Sequence, residues 1–187
     1  MATAPRKTAA GSRGRTTATR SANPDAIALL KDDHKRVSAL FDEYEKSRSI
    51  TKKQALVARI CQELTIHAMI EEEIFYPAVR AALKDRELVP EALVEHATLK
   101  EFIAKVEGRT PDGDMFDAHI QVMGEYVKHH VKEEQNEMFP KAKRSKLDMK
   151  ELGARLAARK EELKASPGSL PKQPNAVEML SEDSAPA

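Results

Sequence analysis

Two segments of this chain, HAMIEEEIFYP (67–77) and HVKEEQNEMFP (130–140), share one pattern: a histidine, a glutamate four residues later, then an aromatic residue and a proline ten residues after the histidine. On a helix, residues four apart lie about 40° apart in azimuth and roughly 6 Å apart along the axis. A His–Glu pair so spaced reaches one cation, or two adjacent ones, without bending the backbone. Two copies on separate helices restrict the fold to one that faces those helices across a common core.

Between residues 24 and 165 apolar residues recur at helical spacing in five blocks. The first opens with Asn23 as an N-cap and Pro24 at the first helical position, and its stripe reads Ile27, Leu30, His34, Val37, Phe41, Tyr44. The second follows Thr51 with Leu56, Ile60, Leu64, His67, Glu71 and Ile74 or Phe75, until Pro77 kinks or ends it. The third stripe is Leu93, His96, Leu99, Ile103, Val106, stopped by Gly108 and Pro111. The fourth starts near Asp112 or Asp114 and runs Met115, His119, Val122, Tyr126, His130, Glu134, Met138, up to Pro140. A shorter fifth block sets Asp148 and Glu151 in a capping-box relation before Leu152, Leu156 and Leu163. Four long helices with short connections predict an all-α, up-down-up-down antiparallel four-helix bundle over 24–145, with an accessory helix over 146–165.

The chain has six histidines, and each of the four long stripes carries one inside it. One buried histidine is ordinarily a satisfied core residue. Buried ionised glutamates differ, because each costs several kcal/mol unless a cation compensates. Here His34, His67, His96, His130, Glu71 and Glu134 fall on inward stripes with no inward arginine to neutralise them. Mixed nitrogen and oxygen donors without thiolate suit iron, manganese or zinc. His129 and Glu133 lie about 100° around the helix from His130 and Glu134 and read as a flanking pair. His119 sits roughly 16 Å down the axis from His130, too far to share the site.

The remaining composition narrows the function classes. Lys and Arg total 31 against 30 Asp and Glu, so no global field steers the chain toward nucleic acid or membrane. The single cysteine, Cys61, excludes an internal disulfide and fits a reducing, cytoplasmic compartment as a buried apolar residue. No apolar run is long enough to span a bilayer, and residues 1–23 lack the apolar stretch of a secretory signal. That segment, with five basic residues and no acid, reads as a disordered tail, with a weak phosphate-binding arm or a transit peptide as the alternatives. The Pro- and Ser-rich 166–187 reads as a second tail.

At His34, HAMIE (67–71), EHATLK (95–100) and HHVKEE (129–134), over about residues 25–145, the chain resembles the hemerythrin family, in particular the bacterial HHE cation-binding domains. The resemblance implies a non-heme di-iron centre with an oxo- or hydroxo-type bridge and bridging carboxylates, held by His34, His67, Glu71, His96, His130 and Glu134. One position departs from the oxygen carriers: four residues after the third-helix histidine they place another histidine, and this chain has Lys100. The set of six is similar to that of di-iron proteins implicated in iron–sulfur cluster repair and in other redox roles. Lys100 and Tyr126 stand as candidates to assist from beside the metal, Tyr126 because it lies one turn before His130.

Three readings compete. A redox di-iron protein would react with oxygen, peroxide or nitric oxide, drawing electrons from a donor that the sequence does not identify. A reversible binder would store or sense oxygen or iron without turnover. A metal-free helical module would use the basic tail as its contact arm.

Overall fold

A computed structural model describes residues 25–166, so the segments read as tails lie outside the described residues except for Ser166. The helices are α1 (Ala26–Lys46), α2 (Ile50–Ile70), α3 (Tyr76–Leu83), α4 (Leu88–Val106), α5 (Asp114–Glu133), α6 (Phe139–Arg144) and α7 (Met149–Ala165). Two single π-helical turns, Glu71–Phe75 and Glu134–Met138, join α2 to α3 and α5 to α6 without a break. The bundle thus consists of α1, the continuous α2–α3 rod, α4 and the continuous α5–α6 rod. The short connections set neighbours antiparallel, and α7 lies across α1, α2 and the first π turn. Among the described residues no helix is long and apolar enough to cross a membrane.

Local signals explain the boundaries. Asp25 accepts from the Ala28 amide, so α1 begins at Ala26 rather than at Pro24; Asn23 and Pro24 themselves lie outside the described residues. Ser49 caps α2, so the helix begins at Ile50, before Thr51 rather than after it. Asp148 accepts from the amides of Lys150 and Glu151 and starts α7 where the sequence placed a cap. Neither Pro77 nor Pro140 ends its helix. Proline lacks an amide hydrogen and crowds the carbonyl four residues earlier. Here each proline follows a π turn in which the amides of Tyr76 and Phe139 bond five residues back, to the carbonyls of Glu71 and Glu134. The wider turn accommodates the proline, and the helix runs on.

Two apolar clusters fill the bundle. One, around Leu30, Ile66, Ile70, Phe75, Val79 and Phe139, extends to Leu152, Leu156 and Leu163 of α7. The other, around Val37, Phe41, Ile60, Leu64, Ile103 and Met123, fills the opposite end. Each fully buried aliphatic side chain contributes about 2 kcal/mol of hydrophobic stabilisation. The polar layer described below lies between the clusters.

The fourth stripe needs correction. The buried face of α5 is Phe116, Ile120, Met123, Val127 and His130, whereas Met115 and Val122 are exposed. Extending the stripe backward from His130 in a four-residue step selected Tyr126, and the true step of three selects Val127. The third stripe slips similarly at its start, where Ala92 is buried and Leu93 exposed.

Candidate metal centre

Four helices each deliver one histidine to the middle of the bundle. His34 comes from α1, His67 from the end of α2, His96 from α4 and His130 from the end of α5, and all four are buried. Glu71 and Glu134 open the two π turns and are 0% and 2% exposed. π turns are frequent at functional sites. Here each one starts at the inward glutamate of a His-x-x-x-Glu pair.

The donor atoms converge. His34 Nε2 lies 3.0 Å from His67 Nε2 and 3.2 Å from Glu134 Oε2. Glu71 Oε2 lies 3.2 Å from His67 Nε2 and 3.5 Å from His96 Nε2. His96 and His130 bring their Nε2 atoms within 3.2 Å, and His130 Nε2 is 3.6 Å from Glu134 Oε2. The atoms form two adjacent groups, one of His34, His67, Glu71 and Glu134 and one of Glu71, His96 and His130, with Glu71 common to both.

The outer ring nitrogens are held by a second set of side chains, and these form a closed circuit around the bundle. Asp33 on α1 faces His67 on α2, with Oδ2 3.6 Å from Nδ1, longer than a hydrogen bond. Glu72, after α2, takes a hydrogen bond of 3.0 Å with His96 Nδ1 on α4. Glu95 on α4 accepts at 2.6 Å from His130 Nδ1 on α5. Gln135, after α5, places its amide 3.1 Å from His34 Nδ1 on α1. Each of these residues is the sequence neighbour of one inward residue and supports a histidine on the next helix.

This circuit fixes what the inner atoms can do. A carboxylate facing Nδ1 keeps the proton there and turns the Nε2 lone pair inward. His67, His96 and His130 therefore present lone pairs to one another and to two carboxylates. Glu71 Oε1 and Glu134 Oε2 find no hydrogen-bond donor. Acceptors crowded together without donors are stabilised by cations, and imidazole with carboxylate is a donor set that cations of the first transition row accept. The residues fit a metal.

Electrostatics in the cation-free site agree. Burial and the neighbouring Glu134 push the Glu71 carboxyl well above its ordinary range, toward the protonated form. Burial would raise Glu134 also, but His130 and His34 outweigh it and hold that carboxyl below its usual range. Burial lowers His67 to about 4 and lowers His96, keeping both rings neutral. His130 is raised despite burial, because Glu134 and Glu95 flank it. Neutral His67 and His96 rings beside the ionised Glu134 are poised to bind a cation, and loading displaces the protons that the raised Glu71 and His130 groups favour.

Tyr76 completes the layer. It is 1% exposed, and its hydroxyl lies 2.9 Å from Glu134 Oε1, 3.1 Å from His96 Nε2 and 3.4 Å from Glu71 Oε2. The site's tyrosine is Tyr76 and not Tyr126, whose ring packs on Phe102, in keeping with the one-residue phase error on α5. Lys100 does not reach inward either. Its Nζ bonds Glu72 Oε2 at 2.7 Å and so steadies the carboxylate behind His96. His119 turns to the Met115 carbonyl near the start of α5, outside the site.

A family model for the hemerythrin HHE cation-binding domain matches residues 25–142. The chain belongs to this family. A crystal structure of a hemerythrin HHE cation-binding domain-containing protein from Mycobacterium kansasii superposes with a TM-score of 0.66 and 26% identity, covering 76% of this chain and 89% of that one. A protein of Nostoc sp. described as a DNA nickase is 28% identical over 111 residues, 59% of this chain. The chain spans only 31% of that relative's length. As an HHE domain it is a metal-binding helical protein, and its His/Glu clusters are able to hold cations.

The accessory helix lies beyond the matched HHE segment, yet it reaches the centre. Lys160, buried on α7, makes an ion pair with Asp33 behind His67. Burial would raise the Asp33 carboxyl, but the His67 ring and the Lys160 ammonium hold it at about 2. On the outer face Arg159 grips Glu73 of the first π turn at 2.7 and 3.1 Å.

Proposed function

We propose that this HHE protein holds two iron ions between His34, His67, Glu71, His96, His130 and Glu134, and uses them to react with oxygen, peroxide or nitric oxide in oxidative or nitrosative stress. The observation that carries the reading is the sharing of Glu71 between two adjacent donor groups, which suits a carboxylate spanning two cations. Six side chains across two ions leave positions for small molecules, where iron would supply Lewis acidity and electrons. The side chains keep the imidazoles in one tautomer, neutralise the bound charge and set the Tyr76 hydroxyl beside Glu134 as a proton donor.

A small molecule has a way in. A groove of about 750 Å³ between α1 and α5 runs from Asp117 and Lys53 past Phe41 and Val127 to His34. Gly124 permits that approach of Phe41, since a Cβ there would meet the ring at 3.2 Å. The electron donor would act at the surface. The test is consumption of peroxide or nitric oxide by iron-loaded protein. Turnover above that of free iron is expected, and a rate no greater than free iron, with two irons bound, would leave reversible binding as the function.

A further inference from the structure

A second opening lies on the adjacent side of the bundle, between α4 and the end of α5. It is a cleft of about 190 Å³ whose walls include Glu87, Glu91, Glu95, Glu133 and Glu137, and whose inner end is Glu134. No lysine or arginine lines it. Glu137 has a cation nearby, Lys141 at 3.9 Å, while Glu133 and Glu95 face His129 at 3.2 and 3.8 Å. Glu95, His129 and Glu133 each bring one ligand atom within 4.8 Å of the others. His129 is 61% exposed at the rim.

An acidic cluster alone is usually a solvated surface. Two features set this one apart. It ends on a nine-tenths buried carboxylate, Glu134, whose Oε2 accepts no hydrogen bond. Its inner wall, Glu95, is bifunctional: Oε2 accepts from the inward His130, while Oε1 faces the rim histidine. A path lined by one sign of charge in low-dielectric walls concentrates the opposite charge and speeds its arrival.

We infer that this cleft is the cation entrance, with Glu95, His129 and Glu133 as a capture site where a hydrated divalent metal exchanges water for protein donors before passing to Glu134. The inference rests on the metal reading of the centre and assigns to His129 and Glu133 a role distinct from the six inward residues. The groove on the α1 side carries Lys53 and Lys128 among Asp42, Glu45, Asp117 and Glu125, so its charges are mixed where the cleft presents acids alone.

The test is the loading rate of metal-free full-length protein mixed with cobalt(II), followed by its visible absorption. Glu91→Gln/Glu133→Gln and His129→Ala are expected to load roughly threefold or more slowly than wild type, with a weaker dependence on salt and the same final spectrum. Glu43→Gln/Glu101→Gln, with the same change in net charge away from the cleft, is expected to load at the wild-type rate. Equal rates in all variants would overturn the entrance while leaving the centre intact. Wild-type protein that takes up no cobalt would overturn the metal reading, and the entrance with it.

Discussion

The two His-x-x-x-Glu hairpins repeat one motif but are backed in opposite ways. On the α2 side, His67 is supported by Asp33, and Asp33 by Lys160 of α7, so the support is itself buried under a further helix. On the α5 side, His130 is supported by Glu95, whose other oxygen looks into an acidic cleft and an exposed histidine. The residue before each proline differs likewise: Tyr76 places a hydroxyl among the donors, while Phe139 stacks its ring on His34 at 5.8 Å. One half is sealed by packing and the other is open to cations, so a symmetric repeat yields a site with a direction.

Breaking the sealed half should cost the most in folding. Lys160→Met leaves Asp33 charged and buried without its partner, a loss of about 3–5 kcal/mol. Asp33→Asn/Lys160→Met should recover most of it in denaturant unfolding, because no buried charge remains. A Lys160→Met protein as stable as wild type would show that the ion pair does not close this side.

Acid should then act on the same half. In the unfolded chain His67 takes a proton near pH 6.5, and in the cation-free fold not until about 4. Stability therefore falls as pH drops from 6.5 to 4, by up to roughly 3 kcal/mol for this ring, and protonation of it contributes nothing further below that. Asp33 prolongs the loss from about 3.8 down to about 2, since its lowered carboxyl stabilises only while ionised. Chemical denaturation of metal-free protein across this range tests the sign.

The open half should respond in affinity rather than in folding. Glu95→Gln keeps a hydrogen-bond acceptor for His130 but removes the charge, and is expected to weaken metal affinity by roughly 10–100-fold with little change in the unfolding midpoint. Competition with a chelator measures it. Smallest is Tyr76→Phe, which removes one donor from Glu134 and should cost about 1 kcal/mol in metal-free protein. Its absorption spectrum when loaded should shift, whereas Tyr126→Phe should leave the spectrum unchanged.

The helical periods and the repeat made the bundle and all six converging residues legible in the sequence, because an inward donor on a stripe must share the spacing of the core. What escaped has a geometric cause. Tyr76 lies five residues after Glu71, which on an α-helix points away, and only the π turn swings it to the same face. Asp33, Glu72, Glu95 and Gln135 each adjoin an inward residue, about 100° around its helix, where they meet the next helix's histidine at the seam. A polar residue beside each inward donor was therefore the available signal. Lys160 falls on the α7 stripe, four residues after Leu156 and three before Leu163, but spacing alone did not name Asp33 as its partner.

The most direct measurement is metal content per chain, with absorption spectra, for protein expressed with ample iron, for wild type, His67→Ala and His130→Ala. Two irons per wild-type chain, with less in each variant, is the expected result. No bound iron in wild type, or undiminished binding in both variants, would contradict a centre shared between the two hairpins.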